Sequence, residues 1–433
     1  MGIKASIQNR VIKHLFSVDR REAKRRKAER QRLAAGAPHL VEYYHEVSDP
    51  YSHLMVQVLP EFCRRYDVEL QTHLVSPPPD WAAPDRQRLE VYARRDAARL
   101  AKRASLDFSD PGTQPSRDAI AAANAALLGV VDSDVFLRRA YKIGQNVWRG
   151  EQVEREGADH VAAEDCLRAA AEKRDAQGHY LGGTLFYAGE WYWGVDRLHF
   201  LEQRLKDLGA ATNVSDAPIF APPTIPSSSA SKPLETPPEL HWYLSFRSPY
   251  TGIVADRVKA LADAYGAELK LRFVLPMVMR GMQVPRMKGF YIMSDTVREA
   301  ERLGVPFGDI CDPVGRPVER GYAILSKAIE LGRGFEFAQS FLSGVWADGL
   351  DAGSDSGLKK ITERAGLDWA AMKPLLGGDH WRAEAEANQT EMFAHGIWGV
   401  PSFRVGEVAA WGQDRLWVIE DALKNLTQQE QLK

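Results

Sequence analysis

Three small groups of residues have the types and spacing for chemistry. Ser248-Pro249 follows Trp242-Tyr243-Leu244-Ser245-Phe246, so it reads as a buried strand entering a helix, with a hydroxyl at the N-cap and proline at the first helical position. A helix N-terminus offers unpaired N–H groups and the positive end of a dipole, which stabilise an anion or thiolate placed there. Asp49-Pro50 repeats the arrangement 199 residues earlier, with a carboxyl in place of the hydroxyl. His45, Asp49 and His53 recur every four residues with Glu46 beside them. They straddle an expected strand, loop and helix, so the spacing is not that of a helical metal-ligand pair, and no metal is expected.

The cysteines, Cys63, Cys166 and Cys311, lie far apart without a CxxC, which excludes a dithiol redox centre and a zinc framework. Aromatic residues such as Trp242, Phe246, Tyr250, Trp398 and Trp411 suit a planar aromatic substrate and equally suit a core. No glycine-rich phosphate loop or Ser-His-Asp order stands out elsewhere.

These groups need elements to hold them, and the chain supplies two similar sets. It has 433 residues, 45% hydrophobic and 26% charged, enough for two or three domains with ordinary cores. No apolar run reaches the roughly 18 residues of a membrane span and no signal-peptide pattern follows the start, so a cytoplasmic protein is expected. The net charge of -2 conceals a basic beginning, from Lys4 to Arg32, and residues 1–36 read as a basic amphipathic extension with Ile3, Ile7, Val11, Leu15 and Phe16 at near-helical spacing. Residues 1–35 are therefore a candidate contact for a membrane surface or nucleic acid, although a charge run is more often a solvated face.

An offset of 199 pairs Tyr44 with Tyr243, Pro50 with Pro249, Tyr51 with Tyr250, Tyr92 with Tyr291 and Asp96 with Asp295, all without a gap. Farther on, Gly194 pairs with Gly412 at an offset of 218, so the second half carries about 19 extra residues in its middle. This pattern is a tandem duplication, with a domain over 37–209, a Pro/Ser-rich linker over 210–239 and a second domain over 240–427. Each half reads as strand, helix, strand, a long helical insertion, two short strands and a last helix. That order gives the α/β class; its reading as a thioredoxin-like domain with a DsbA-type insertion leans on resemblance.

The second half resembles the 2-hydroxychromene-2-carboxylate isomerase and kappa-class glutathione transferase family, a DsbA-like branch without the redox cysteine pair. The matching pieces are Ser248-Pro249-Tyr250, the run from Lys288-Gly289-Phe290-Tyr291 through Asp295 to Leu303-Gly304-Val305-Pro306-Phe307, Gly399-Val400-Pro401 and Trp411-Gly412-Gln413-Asp414-Arg415-Leu416. The resemblance implies that Ser248 hydrogen-bonds a glutathione sulfur and helps hold it as thiolate. It implies that Val400-Pro401 is a cis-proline turning backbone groups toward the ligand, and that Asp414 receives the γ-glutamyl ammonium, with Gln413 where serine or asparagine is usual. Tyr250 and Trp398 complete the candidate binding set. The family's glutathione-binding asparagine has no clear match, since Met282 or Gln283 stands in that region.

Asp196-Arg197 survives in the first half without the other site residues, so Asp414 also reads as a helix cap. With Asp49 for Ser248 and Thr184 for Pro401, the first half is expected to have lost the family chemistry. The function implied is thiol-dependent isomerisation of an aromatic unsaturated acid with glutathione. The alternatives are a kappa-like transferase or a non-catalytic thioredoxin-like scaffold, and a disulfide oxidoreductase is disfavoured. The family's habit of pairing implies a homo-oligomer or an intramolecular pseudo-dimer.

Overall fold

The computed structural model describes residues 9, 11–153, 160–212, 217–223 and 236–431. Ile3 and Ile7 of the amphipathic pattern, and positions 213–216 and 224–235 of the expected linker, lie outside the described residues. The chain divides into two compact units. The C-terminal unit comprises Met1–Arg21, Pro223–Val284 and Ile292–Lys433, and the N-terminal unit comprises Glu22–Pro222 and Pro285–Tyr291.

Each unit contains one four-stranded mixed sheet. In the N-terminal unit β1 (Leu40–His45) pairs in parallel with β2 (Glu69–Leu74) and antiparallel with β3 (Thr184–Tyr187), which pairs with β4 (Glu190–Trp193). The order is β2-β1-β3-β4. In the C-terminal unit β5 (Glu239–Leu244), β6 (Glu268–Phe273), β7 (Ser402–Val405) and β8 (Val408–Trp411) take the order β6-β5-β7-β8. The registers agree as well, since Leu40 faces Glu69 and Glu239 faces Glu268. The α/β class therefore holds in both halves, with one thioredoxin-like sheet in each.

The helical insertions lie where the sequence places them, between the second and third strand of each sheet. Between β2 and β3 run α3 (Arg86–Ala104), α4 (Arg117–Leu128), α5 (Phe136–Arg149) and α6 (His160–Gln177), after the first helix α2 (Pro50–Arg65). In the second half α8 (Pro249–Ala264) follows β5, and the insertion holds α9 (Arg286–Leu303), α10 (Arg316–Glu330), α11 (Gly334–Trp346), α12 (Asp355–Arg364), a single turn α13 (Trp369–Met372) and α14 (Arg382–Ala394). The last helices are α7 (Leu198–Asp207) and α15 (Leu416–Gln431). Much of the longer second insertion is thus accounted for by α12 and α13, which have no counterpart among the described residues of the first.

The strand β5 is buried on both faces, as a central strand covered by helices should be. Leu240, Trp242 and Leu244 enter the main core, and Phe246 continues it past the strand end, stacked on Phe341 with ring centroids 3.9 Å apart and 5.1 Å from Tyr322. Trp346 Nε1 donates to the Phe246 carbonyl at 3.1 Å. These contacts pin the turn that delivers Ser248.

Of the amphipathic pattern, Val11, Leu15 and Phe16 fall within the described residues and precede the first long helix. The helix α1 (Val18–Ala34) buries none of its residues, and apolar packing in this region comes from Ile12, set against the C-terminal core. A helix polar on all sides is held by charge: Arg21 pairs with Glu301 at 2.7 Å and Arg25 grips Glu190 through two bonds of 2.6 and 2.7 Å, and Lys13, ahead of the helix, pairs with Asp309 at 2.9 Å. No described helix is long and apolar enough to cross a membrane.

Candidate functional site

Ser248 caps α8 from extended backbone, φ -89° and ψ 115°, with its Oγ accepting the Thr251 N–H at 3.2 Å. The same hydroxyl donates to the Val400 carbonyl at 3.4 Å. That is long for O–H···O, so a closer acceptor would take the proton. The Val400-Pro401 peptide is cis. Its loop is fastened by the Gly412 N–H on the Pro401 carbonyl at 2.9 Å and by Ser402 Oγ on the Gly399 carbonyl at 2.7 Å. Gly399 admits no side chain, because a Cβ there would sit 2.4 Å from the Trp411 ring. The Trp398 and Trp411 rings lie 5.2 Å apart, and Trp398 Nε1 is buried with no hydrogen-bond partner. Ser248, Val400, Pro401 and Trp398 thus fall within the two loops that the Ser248–Val400 bond joins.

The other expected residues are engaged elsewhere. Tyr250 donates its hydroxyl to Asp295 at 2.8 Å, and Arg298 holds the same carboxylate at 3.0 Å. The N-terminal unit repeats the bond at equivalent positions, Tyr51 to Asp96 at 2.9 Å, so this tie is part of the shared scaffold. Gln413 is buried with both ends of its amide bonded: Oε1 receives Arg257 Nη2 and Nε2 donates to Glu299 at 3.1 Å. Burial pushes the Arg257 guanidinium down to about 10 against the opposing pull of Glu299. Gln413 therefore orders the turn before α15, with each amide atom already bonded within the protein. Asp414 pairs with Arg415 at 3.2 Å, as Asp196 pairs with Arg197 at 3.6 Å in the N-terminal unit.

Two groups beside Ser248 escaped the sequence reading. Thr251, the third residue of α8, has a fully buried hydroxyl without a hydrogen-bond partner, and Arg247 makes a two-pronged ion pair with Asp312 at 3.0 Å through each arm. The spacing of Ser248 to Thr251 carried a signal for the first, as a cap and its third helical residue. Nothing local signalled Asp312, 65 residues away from Arg247.

In the N-terminal unit Asp49 fills the corresponding cap and accepts from Tyr51 N at 3.2 Å, Ser52 N at 2.9 Å and Ser52 Oγ at 2.8 Å. Gly183, at φ +60°, leaves room for it, since a Cβ there would meet Asp49 Oδ2 at 2.8 Å. Glu46 is buried next to this carboxylate with Ser48 Oγ donating to it at 2.8 Å. Burial, then the charge of Asp49, pushes the Glu46 carboxyl up to about 8, and burial raises Asp49 as well. Burial also depresses His45 and His53, to about 3 and about 4, so both imidazoles are neutral at pH 7. Among the described residues no group of three or more His, Cys, Asp or Glu side chains converges on a metal position.

This buried pair has a testable consequence. A carboxyl whose folded pKa exceeds its unfolded value binds more protons in the folded state, so stability falls as pH rises from the unfolded value, near 4.3, through about 8. Glu46→Gln keeps the acceptor for Ser48 and removes the proton. Urea unfolding from pH 5 to 9 should show wild type losing stability with a slope of up to about 1.4 kcal/mol per pH unit from this group, and the variant losing that component. Parallel profiles would show that Glu46 does not titrate in this window.

Comparison with known proteins extends the site's context. Residues 239–424 match the DSBA-like thioredoxin domain family. The chain is 21% identical over 196 residues to 2-hydroxychromene-2-carboxylate isomerase of Pseudomonas putida, covering 43% of this chain and 95% of the relative. It is 24% identical over 198 residues to the same-named protein of Sphingobium xenophagum, covering 42% and 97%. A solved structure of 2-hydroxychromene-2-carboxylate isomerase aligns with a TM-score of 0.39 at 21% identity, over 44% of this chain and 96% of that one. The C-terminal half is a DSBA-like thioredoxin domain similar to these isomerases.

Proposed function

We propose that the C-terminal half is a thiol-dependent isomerase acting on an unsaturated aromatic acid, with glutathione as the thiol. The observation that carries this reading is the Ser248 hydroxyl at the N-terminus of a 16-residue helix, 3.4 Å from the Val400 carbonyl. Glutathione loses its thiol proton to bulk water, and the hydroxyl turns from the long Val400 contact to donate to the sulfur, which the helix dipole also favours as an anion. The thiolate adds to the carbon–carbon double bond conjugated with the acceptor group, the electron pair moving onto that group. The resulting single bond rotates, the pair returns to form the new double bond, and the thiolate leaves unchanged.

The similarity to proteins named as isomerases supports this order of events, and the absence of cysteine from Ser248-Pro249-Tyr250-Thr251 argues against dithiol exchange. The N-terminal half, with Asp49 at the position equivalent to Ser248, is a copy without this chemistry, because a carboxylate there would repel a thiolate. Isothermal titration with glutathione tests the reading. Binding in the micromolar to millimolar range is expected, and no heat at millimolar ligand would sink every thiol-dependent version of it. Incubation with an aromatic unsaturated keto acid then separates isomerase from transferase: glutathione returned intact supports the former, and an accumulating conjugate the latter.

A further inference from the structure

A cavity of about 560 Å3 opens in the N-terminal unit between α1, the start of β1, the β3–β4 turn and the end of α7. That volume is within the range of small-molecule sites. Its apolar surface comes from Pro38, Leu40, Phe186 and Leu208, and Leu40 is 41% exposed although it begins a central strand. A large aliphatic side chain left open at such a place lacks a covering group.

The charges around the cavity are unequally satisfied. Glu22 is held by Arg25 at 3.0 Å, Glu29 by Arg32 at 2.7 Å, and Glu42 by Lys173 and His73. Arg204 bonds the Tyr187 carbonyl at 3.1 Å and lies against Glu190. Asp207 at the rim accepts from Gln203 at 2.8 Å. Arg26 and Arg30, four residues apart and so on one face of α1, line the cavity with no hydrogen bond or ion pair among the described residues. Two uncommitted guanidiniums over an apolar floor fit a carboxylate on an apolar body, since guanidinium matches a carboxylate's two oxygens and the floor removes the rest from water.

We propose that this cavity binds an amphipathic organic anion, its carboxylate on Arg26 and Arg30 and its apolar body on Leu40 and Phe186. The site belongs to the half that carries no proposed chemistry, and it stands or falls independently of the thiol reading. It would let the chain respond to, or carry, an acyl or aryl carboxylate.

The test is isothermal titration of the full chain with octanoate, with octan-1-ol as the uncharged analogue. Octanoate is expected to bind with octan-1-ol at least tenfold weaker, and Arg26→Gln with Arg30→Gln is expected to weaken octanoate by roughly tenfold or more, the loss of a charged hydrogen bond. Both arginines are exposed, so the double variant should keep its far-UV spectrum. Ala28→Trp fills the cavity while keeping the arginines and should abolish the binding. Undetectable octanoate binding, equal affinity for octan-1-ol, or full affinity in either variant overturns the proposal. So does retention on phosphatidylserine vesicles that depends on Arg26 and Arg30 without octanoate binding, which would make this face a membrane surface.

Discussion

Under the proposed function, replacing Ser248 with alanine is expected to lower thiol-dependent turnover by about two orders of magnitude while costing the fold about 1 kcal/mol. The first figure is the usual loss when one donor aimed at a developing or stabilised anion is removed, on the order of 100-fold. The second is the usual loss of an N-cap. Ser248 serves both ends, accepting from Thr251 N at 3.2 Å and donating to the Val400 carbonyl at 3.4 Å, so a single substitution confounds them. Ser248→Gly separates the effects, because glycine at an N-cap costs only about a few tenths of a kcal/mol yet supplies no hydroxyl. The expected result is that both variants lose activity alike while only the alanine variant loses appreciable stability. The pH dependence of the bound cysteinyl carbon shifts should also move upward in both, as a thiolate deprived of a donor is a stronger base. Activity that followed urea stability across the two variants would reduce Ser248 to a helix cap.

This separation bears on what the sequence could convey about the site. Ser248 and the Val400-Pro401 pair were legible because each is a local signal, a helix start and an X-Pro bond, and their meeting follows from strand order. The common order of elements was legible for a similar reason: a constant offset carries β1 against β2 and β5 against β6 with one register, Leu40 to Glu69 and Glu239 to Glu268. It also carried Tyr51–Asp96 and Tyr250–Asp295, which are the same hydrogen bond twice. Gln413 was different. Its position in the motif suggested a ligand contact, but its amide is occupied by Arg257, 156 residues away, and Glu299, 114 residues away. Buried polar groups must find partners, and the choice among distant candidates is made by tertiary packing. The charge pattern of the first 35 residues was equally silent about distant partners. A basic run looks like a free face until Arg25 is seen on Glu190, while the exposed Lys24, Arg26, Lys27 and Arg30 of α1 have no ion pair among the described residues.

The helix start that presents Ser248 is only as well placed as Phe246, two residues before it. Phe246 is fully buried, stacked on Phe341 at 3.9 Å and an interplanar angle of 13°, with Tyr322 and Phe337 at 5.1 and 6.3 Å. Its carbonyl receives Trp346 Nε1, and Tyr322 in turn donates to the Val274 carbonyl at 2.6 Å beyond β6. Truncating such a ring removes its transfer energy and leaves a cavity that close-packed aromatic neighbours fill poorly. Phe246→Ala should therefore cost about 3–5 kcal/mol, a large share of the roughly 5–15 kcal/mol that holds a domain folded. Phe246→Leu keeps most of the volume and should cost about 1.5 kcal/mol or less. Urea titration checks both, through the shift of midpoint at constant slope. The leucine variant also asks a functional question that alanine cannot. If backbone anchoring by Trp346 suffices to place Ser248, the leucine variant retains glutathione binding and a normal pH titration of the bound thiol despite its lower stability. Loss of thiol activation at full occupancy would instead show that the Phe246 ring, through its stack on Phe341, sets the direction in which the Ser248 hydroxyl points.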